Sequence, residues 1–152
     1  MTSPVNLPAG STIFASNLDS YENLTSAWQS YAPTWGSSGT APSLGNGTLT
    51  GHYMQAGKLV MIRTVLTIGS TSTLGTGAWN VSLPVTPVVP TMLSCICIGS
   101  VTYMGMIRVF ATSGDFMRSS TNNGTTVNIS SAVPMAWAAG DQWIITGTYE
   151  AT

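Results

Sequence analysis

YAPTWGSSGTAPSLGNGTLTGHYMQAGKLVMIRTVLTIGSTSTLGTGAWNVSLP, residues Tyr31 to Pro84, is a succession of short β-type runs separated by Gly-, Ser- and Thr-rich turns. Residues 47–55 and 58–68 flank Ala56-Gly57, which predicts a hairpin with a tight connection. In the second run Val60, Ile62, Thr64, Leu66 and Ile68 share one face; Leu59, Met61, Arg63, Val65 and Thr67 share the other. Both faces are largely apolar. A strand of that kind is expected to be covered on both sides, here by a second sheet and by either a subunit or a helix. Trp79, Val81 and Leu83 then alternate up to Pro84, as a half-buried strand does. Pro84, Pro87 and Pro90 each remove a ladder donor and predict a rigid crossing between sheets. The Gly/Ser/Thr stretches at 36–48 and 69–77 read as loop chemistry within one domain.

The rest of the chain continues in the same style. Residues 92–98, 104–110, 125–130 and 142–150 read as strands, with Asn123-Gly124 in a turn that needs positive φ. About seven to nine short strands between Gly-rich turns predict an all-β fold, a single β-sandwich or jelly-roll-like domain over residues 32–152. Two segments precede it. Residues 1–16, with Pro4, Pro8 and Gly10, predict an extended N-terminal arm. Residues 17–31 predict one short α-helix, because Leu18, Tyr21, Leu24, Trp28 and Tyr31 fall on one apolar stripe. Ser16 can cap it, Asp19 and Glu22 suit its positive end, and Ala32-Pro33 stops it. So short a helix is marginal alone. Its stripe is expected to dock on its own sandwich, on sister helices or on another protein.

Charged residues make up only 6% of the chain, against about 25% in ordinary soluble domains. With 43% hydrophobic residues the chain should fold, and a net charge of −1 favours association. Lys58, Arg63, Arg108 and Arg118 are scattered, so no nucleic-acid partner is expected. No apolar run approaches the ~20 residues of a membrane span, and MTSPVNLPAGS lacks the features of a secretory signal. Synthesis in a cytoplasm is therefore expected. His52 is the only histidine, and no carboxylate or thiolate lies near it at metal-ligand spacing. With five scattered acids and no Gly-x-Ser-x-Gly elbow, neither a carboxylate pair nor a triad is expected, and no cofactor or metal. Cys95 and Cys97 should share a strand face as buried apolar side chains rather than form a disulfide. Trp79 and Trp143 are expected in the core. Trp35 and Trp137 leave a sugar-stacking platform open as an alternative.

The opening stretch also carries a resemblance. Tyr31, Pro33 and Trp35 are followed by Pro42, Gly45, Asn46, Gly47, Leu49, Gly51 and Tyr53, then Gly57, Lys58 and Val60. Gly69, Gly75, Gly77, Trp79, Leu83 and Pro84 continue the pattern, and Pro134, Trp137, Gly140, Asp141, Gly147 and Tyr149 echo it near the C-terminus. In these residues the chain resembles a β-rich domain of virion surface proteins in tailed bacteriophages, especially those of actinobacteria. The resemblance implies a non-enzymatic structural protein made in the bacterial host cytoplasm and carried on the virion surface. Its stand-alone length favours a capsid decoration protein, of cement or head-fibre type, over a tail protein. The habits of phage appendages imply a homotrimer bound to the major capsid protein or another virion protein. Expected docking contacts are Val5, Leu7, Ile13 and Phe14 of the arm, with Leu18, Tyr21, Leu24 and Trp28 of the stripe. The alternative is a tail-associated receptor-binding module that recognises host cell-surface glycan.

Overall fold

The computed structural model describes residues 28–111, 113–119 and 126–152. Its strands are β1 (Gln29–Tyr31), β2 (Trp35–Ser37), β3 (Thr48–Ala56), β4 (Leu59–Thr67), β5 (Trp79–Ser82), β6 (Thr91–Ile98), β7 (Tyr103–Phe110), β8 (Ser113–Ser119), β9 (Thr126–Asn128) and β10 (Gln142–Glu150). They form one antiparallel sheet in the order β1-β3-β4-β10-β6-β7-β8-β5-β2, with β9 beside β8. This sheet curls into a half-barrel.

The stretch that opens the sequence is a single bent ribbon. Trp35 faces Val81 at its base, Ser43 faces Thr73 in the middle, and Thr48 faces Thr67 before the tip, where Ala56 meets Leu59. From Ser43 to Thr48 is five residues, whereas Thr67 to Thr73 is six, so one extra residue is taken up on the second side. An extra residue of this kind bends a two-stranded ribbon. The ribbon's two ends thereby fall at opposite sides of the sheet, β3–β4 beside β10 and β2–β5 beside β8.

The Gly/Ser/Thr chemistry at 36–48 and 69–77 is what holds the bend. Asn46 accepts through Oδ1 from Thr71 N at 3.0 Å and donates through Nδ2 to Ser70 Oγ at 3.0 Å. Thr71 Oγ1 in turn accepts from Asn46 N at 2.9 Å. Thr76 N donates to Thr40 O at 3.0 Å, and Thr76 Oγ1 accepts from Thr40 N at 2.9 Å. Gly75 sits at φ +63°, and a Cβ there would stand 2.2 Å from Thr40 O, so no other residue fits without displacing the opposite chain.

One core fills the concave side. The Trp35 and Trp79 rings meet edge to face at 4.9 Å, and Trp79 meets Trp137 at 5.1 Å. Trp79 is fully buried, and its indole N–H donates to Leu74 O at 2.9 Å, so the ring brings its polar edge into the core with a partner. Val60, Ile62 and Leu66 of β4, Ile107 of β7 and Trp143 and Ile145 of β10 close around this cluster.

The all-β class and most strands follow the sequence reading; three features differ. The described strands make one hydrogen-bonded sheet, where two sheets were expected. The Pro84–Pro90 segment consequently passes along a single sheet: Val88 N donates to Glu150 O and Thr152 N to Thr86 O, pinning it to the end of β10. The expected helix over 17–31 does not extend to its last turn, because Gln29–Tyr31 pair with Tyr53–Gly51 as β1. Tyr31 lies over Gly51, where any Cβ would collide with its ring, and its hydroxyl meets Thr64 Oγ1 at 2.5 Å. That tertiary seat outweighs weak helical preference. Residues 1–16 and 17–27 lie outside the described residues.

Candidate docking surface

Alternation along the strands gives the sheet two faces of different fate. Inward, Val60, Ile62, Thr64 and Leu66 of β4 are closed off from solvent. Outward, Leu59 is 51% exposed, Arg63 is exposed, and Met61 and Val65 are half-buried. The outward side chains of neighbouring strands fall in register with Val65. Val65 faces Ile144 on β10, Ile144 faces Ile96 on β6, and Ile96 faces Met104 on β7. Met104, at the end of this row, is 85% exposed. Four adjacent strands thus present one apolar row to the outside, and Ile144, Ile96 and Met104 of that row line a shallow depression with Ser94, Cys95 and Thr146.

Of the expected docking residues, Val5, Leu7, Ile13, Phe14, Leu18, Tyr21 and Leu24 lie outside the described residues. Trp28 is described, and the structure puts it on this outer face. Its ring lies 5.7 Å from the Arg63 guanidinium carbon, within cation–π range, and the residue is 44% exposed. Tyr31, three residues on, points the other way into the concave side. The single-sequence reading found Val65 but not its row, since Ile144, Ile96 and Met104 belong to strands far apart in sequence. The available signal was a second, partly apolar parity in β6 (Met92, Ile96, Ile98) and β7 (Met104, Met106, Phe110), whereas Ile144 stands alone among the polar outward residues of β10.

A separate cleft of about 300 Å³ lies by the ribbon tip, lined by Gln29, Tyr53, Gln55 and Gly57. Tyr53 donates from its hydroxyl to Gln29 Oε1 at 2.9 Å, and Gln55 Nε2 donates to Gly57 O at 2.9 Å. This is an uncharged rim of amides and one phenol. Trp35 and Trp137, the rings considered for sugar stacking, are each only 9% exposed and belong to the core, as do Trp79 and Trp143.

The titratable groups offer little chemistry. Cys95 and Cys97 are free thiols and both are buried. The hydrogen bond that the Cys95 thiol donates to Cys97, with burial, pushes Cys95 far above the ordinary thiol range, which keeps it protonated and poorly nucleophilic. His52 projects outward on β3 opposite Arg63. No group of three or more His, Cys, Asp or Glu that could hold a metal occurs among the described residues. Comparison with family models, with curated proteins and with solved structures finds no match to this chain.

Proposed function

We propose that the protein is a non-enzymatic structural component of a bacteriophage virion, a capsid decoration protein that binds the assembled shell as an oligomer. The observation that carries the reading is the outer apolar row Val65–Ile144–Ile96–Met104, in a chain with 6% charged residues. A second apolar face on a sheet whose core is already complete marks a surface made for contact. The resemblance of residues Tyr31 to Tyr149 to phage virion domains gives that contact its setting. In this reading the arm residues Val5, Leu7, Ile13 and Phe14 grip the shell, whether its major capsid protein or another virion protein. The homotrimer raises their avidity. A subunit that binds only the assembled shell stabilises it by mass action. The test replaces the four arm residues together by Ser. The variant should keep its oligomeric mass and β-type circular dichroism and lose binding to particles that lack the protein. Undiminished binding overturns the reading.

The cleft at Gln29, Tyr53 and Gln55 favours a second reading, a tail-associated module that binds host cell-surface glycan. Amides and a phenol without charge match the hydroxyls of a neutral sugar. That reading requires the purified protein to adsorb to host cells, with competition by cell-wall polysaccharide and loss in Gln55→Ala. Absence of adsorption at high protein concentration removes it.

A further inference from the structure

We infer that, within the glycan reading on which this depends, the cleft at the ribbon tip takes the acetamido group of an N-acetylated sugar. Gln29 donates to its carbonyl, and Gln55 accepts from its N–H. Gln29 lies on β1, the terminal strand of the sheet, and faces Tyr53 of β3 in register. Alternation puts Gln55 on the same side as Tyr53. Each of the two amides is half used. Gln29 Oε1 accepts from the Tyr53 hydroxyl at 2.9 Å, which leaves Nε2 with its N–H groups to give. Gln55 Nε2 donates to Gly57 O at 2.9 Å, which leaves Oε1 as an acceptor. No other hydrogen bond among the described residues uses either of these free atoms. The cleft thus carries a fixed donor and a fixed acceptor, both held before a ligand arrives, which lowers the cost of ordering them.

Their spacing selects the ligand group. Because Gln29 faces Tyr53, Gln55 is its diagonal neighbour, with Cβ atoms about 7–8 Å apart. A trans secondary amide carries its oxygen and its N–H on opposite sides. It fills such a gap with a hydrogen bond of about 2.9 Å on each side. A hydroxyl rotates to suit one partner and leaves the other unused. No lining residue is charged, so a free amino sugar gains no ion pair there and the neutral acetylated form is preferred. A peptide strand docks by main-chain bonds along a sheet edge. Here donor and acceptor are side chains around a cleft of about 300 Å³, at the small end of ligand sites, which suits a single substituted ring.

The test titrates the full chain with a trimer of N-acetylglucosamine and follows the side-chain amide signals of Gln29 and Gln55 by NMR. Both signals should shift, and a glucose trimer of the same linkage should bind about ten-fold more weakly. Gln29→Leu and Gln55→Leu should each weaken binding of the acetylated trimer several-fold while keeping the β-type circular dichroism. Equal binding of the two trimers overturns the acetamido assignment and leaves the glycan reading standing. So does adsorption to host cells without binding of the acetylated trimer. Equal binding of an N-acetylated tripeptide assigns the cleft to peptide amides and overturns the inference. Binding that neither substitution weakens also overturns it, because the sugar then sits elsewhere. Loss of both trimer binding and cell adsorption removes the glycan reading and the inference together.

Discussion

Ile62 and Leu66 look inward from β4, while Met61 and Val65 look outward from the same strand. The four are close in hydrophobicity, yet the first pair is closed off and the second half-open. The difference does not lie in the residues. It arises because the ribbon bends and carries β2 and β5, with Trp35 and Trp79, back over the inner face. Burial on a sheet is thus decided by where the chain returns, and an apolar parity alone marks a surface that something will cover. The inner face has its cover within the described domain. The outer face keeps Leu59 and Met104 exposed.

The largest way to break this comparison is Trp79→Ala. The ring is fully buried between Trp35 and Trp137, so its loss should cost about 3–5 kcal/mol. In a domain stable by roughly 5–15 kcal/mol that is a large share. Urea unfolding followed by tryptophan fluorescence measures it. A cost below about 1 kcal/mol would mean that the tryptophan cluster does not hold the two ends of the ribbon together.

Gly75→Val attacks the bend itself. Left-handed φ for a β-branched residue costs about 1–3 kcal/mol, and the clash with Thr40 O adds to it. The expected outcome is a lowered urea midpoint with a looser β2–β5 edge, seen as faster amide exchange at Ser38 and Thr76. Gly57→Ala is the contrast at the ribbon tip. It has a similar φ of +58° but nothing near the new Cβ, so it should cost less than Gly75→Val.

The sequence reading reached the strands with strong periodicity, such as β4, β6 and β10, and the burial of Trp79, Trp143, Cys95 and Cys97. It missed β8, because Ser113-Gly114-Asp115-Phe116 carries no alternation and pairs only through β7 and β5. It read 36–48 and 69–77 as loop chemistry within one domain, without a pairing between them. Their cross-pairing through Asn46, Thr71 and Thr76 is between residues about 25 to 36 apart in sequence, and no local pattern encodes a partner at that distance. The sandwich became one curled sheet for the same reason: composition reports that faces are buried, and only non-local register says by what. The outer row shows the same limit, since its members become neighbours only after β10 is placed between β4 and β6.

Alkaline pH should reveal the inner face by another route. Burial raises the Tyr149 phenol to about 12 from 10.0, and its hydroxyl donates to Val85 O at 2.8 Å. Burial raises Tyr31 as well. Because the folded values lie above the unfolded ones, stability is full below pH 10 and is lost as the pH rises towards 12. Thermal melts across that window should fall steadily. Tyr149→Phe should lose about 1 kcal/mol near neutrality with its hydrogen bond, and show a shallower alkaline decline. An unchanged decline would assign the effect to other groups.

The smallest effect on folding is expected at the outer face, and it is the most informative of the series. Met104→Ser removes a side chain that is 85% exposed, so unfolding of the described domain should change by less than about 0.5 kcal/mol. Trp79→Ala and Met104→Ser both delete a large apolar side chain from the same curled sheet. If both cost several kcal/mol, the outer row is already part of a covered core, and its cover contributes to domain stability directly. If Met104→Ser is silent in unfolding yet alters oligomeric mass or particle binding, the two faces are separable: one holds the fold, and the other serves its contacts. A silent result in all three measurements would leave the row without a role and remove the observation on which the docking proposal rests.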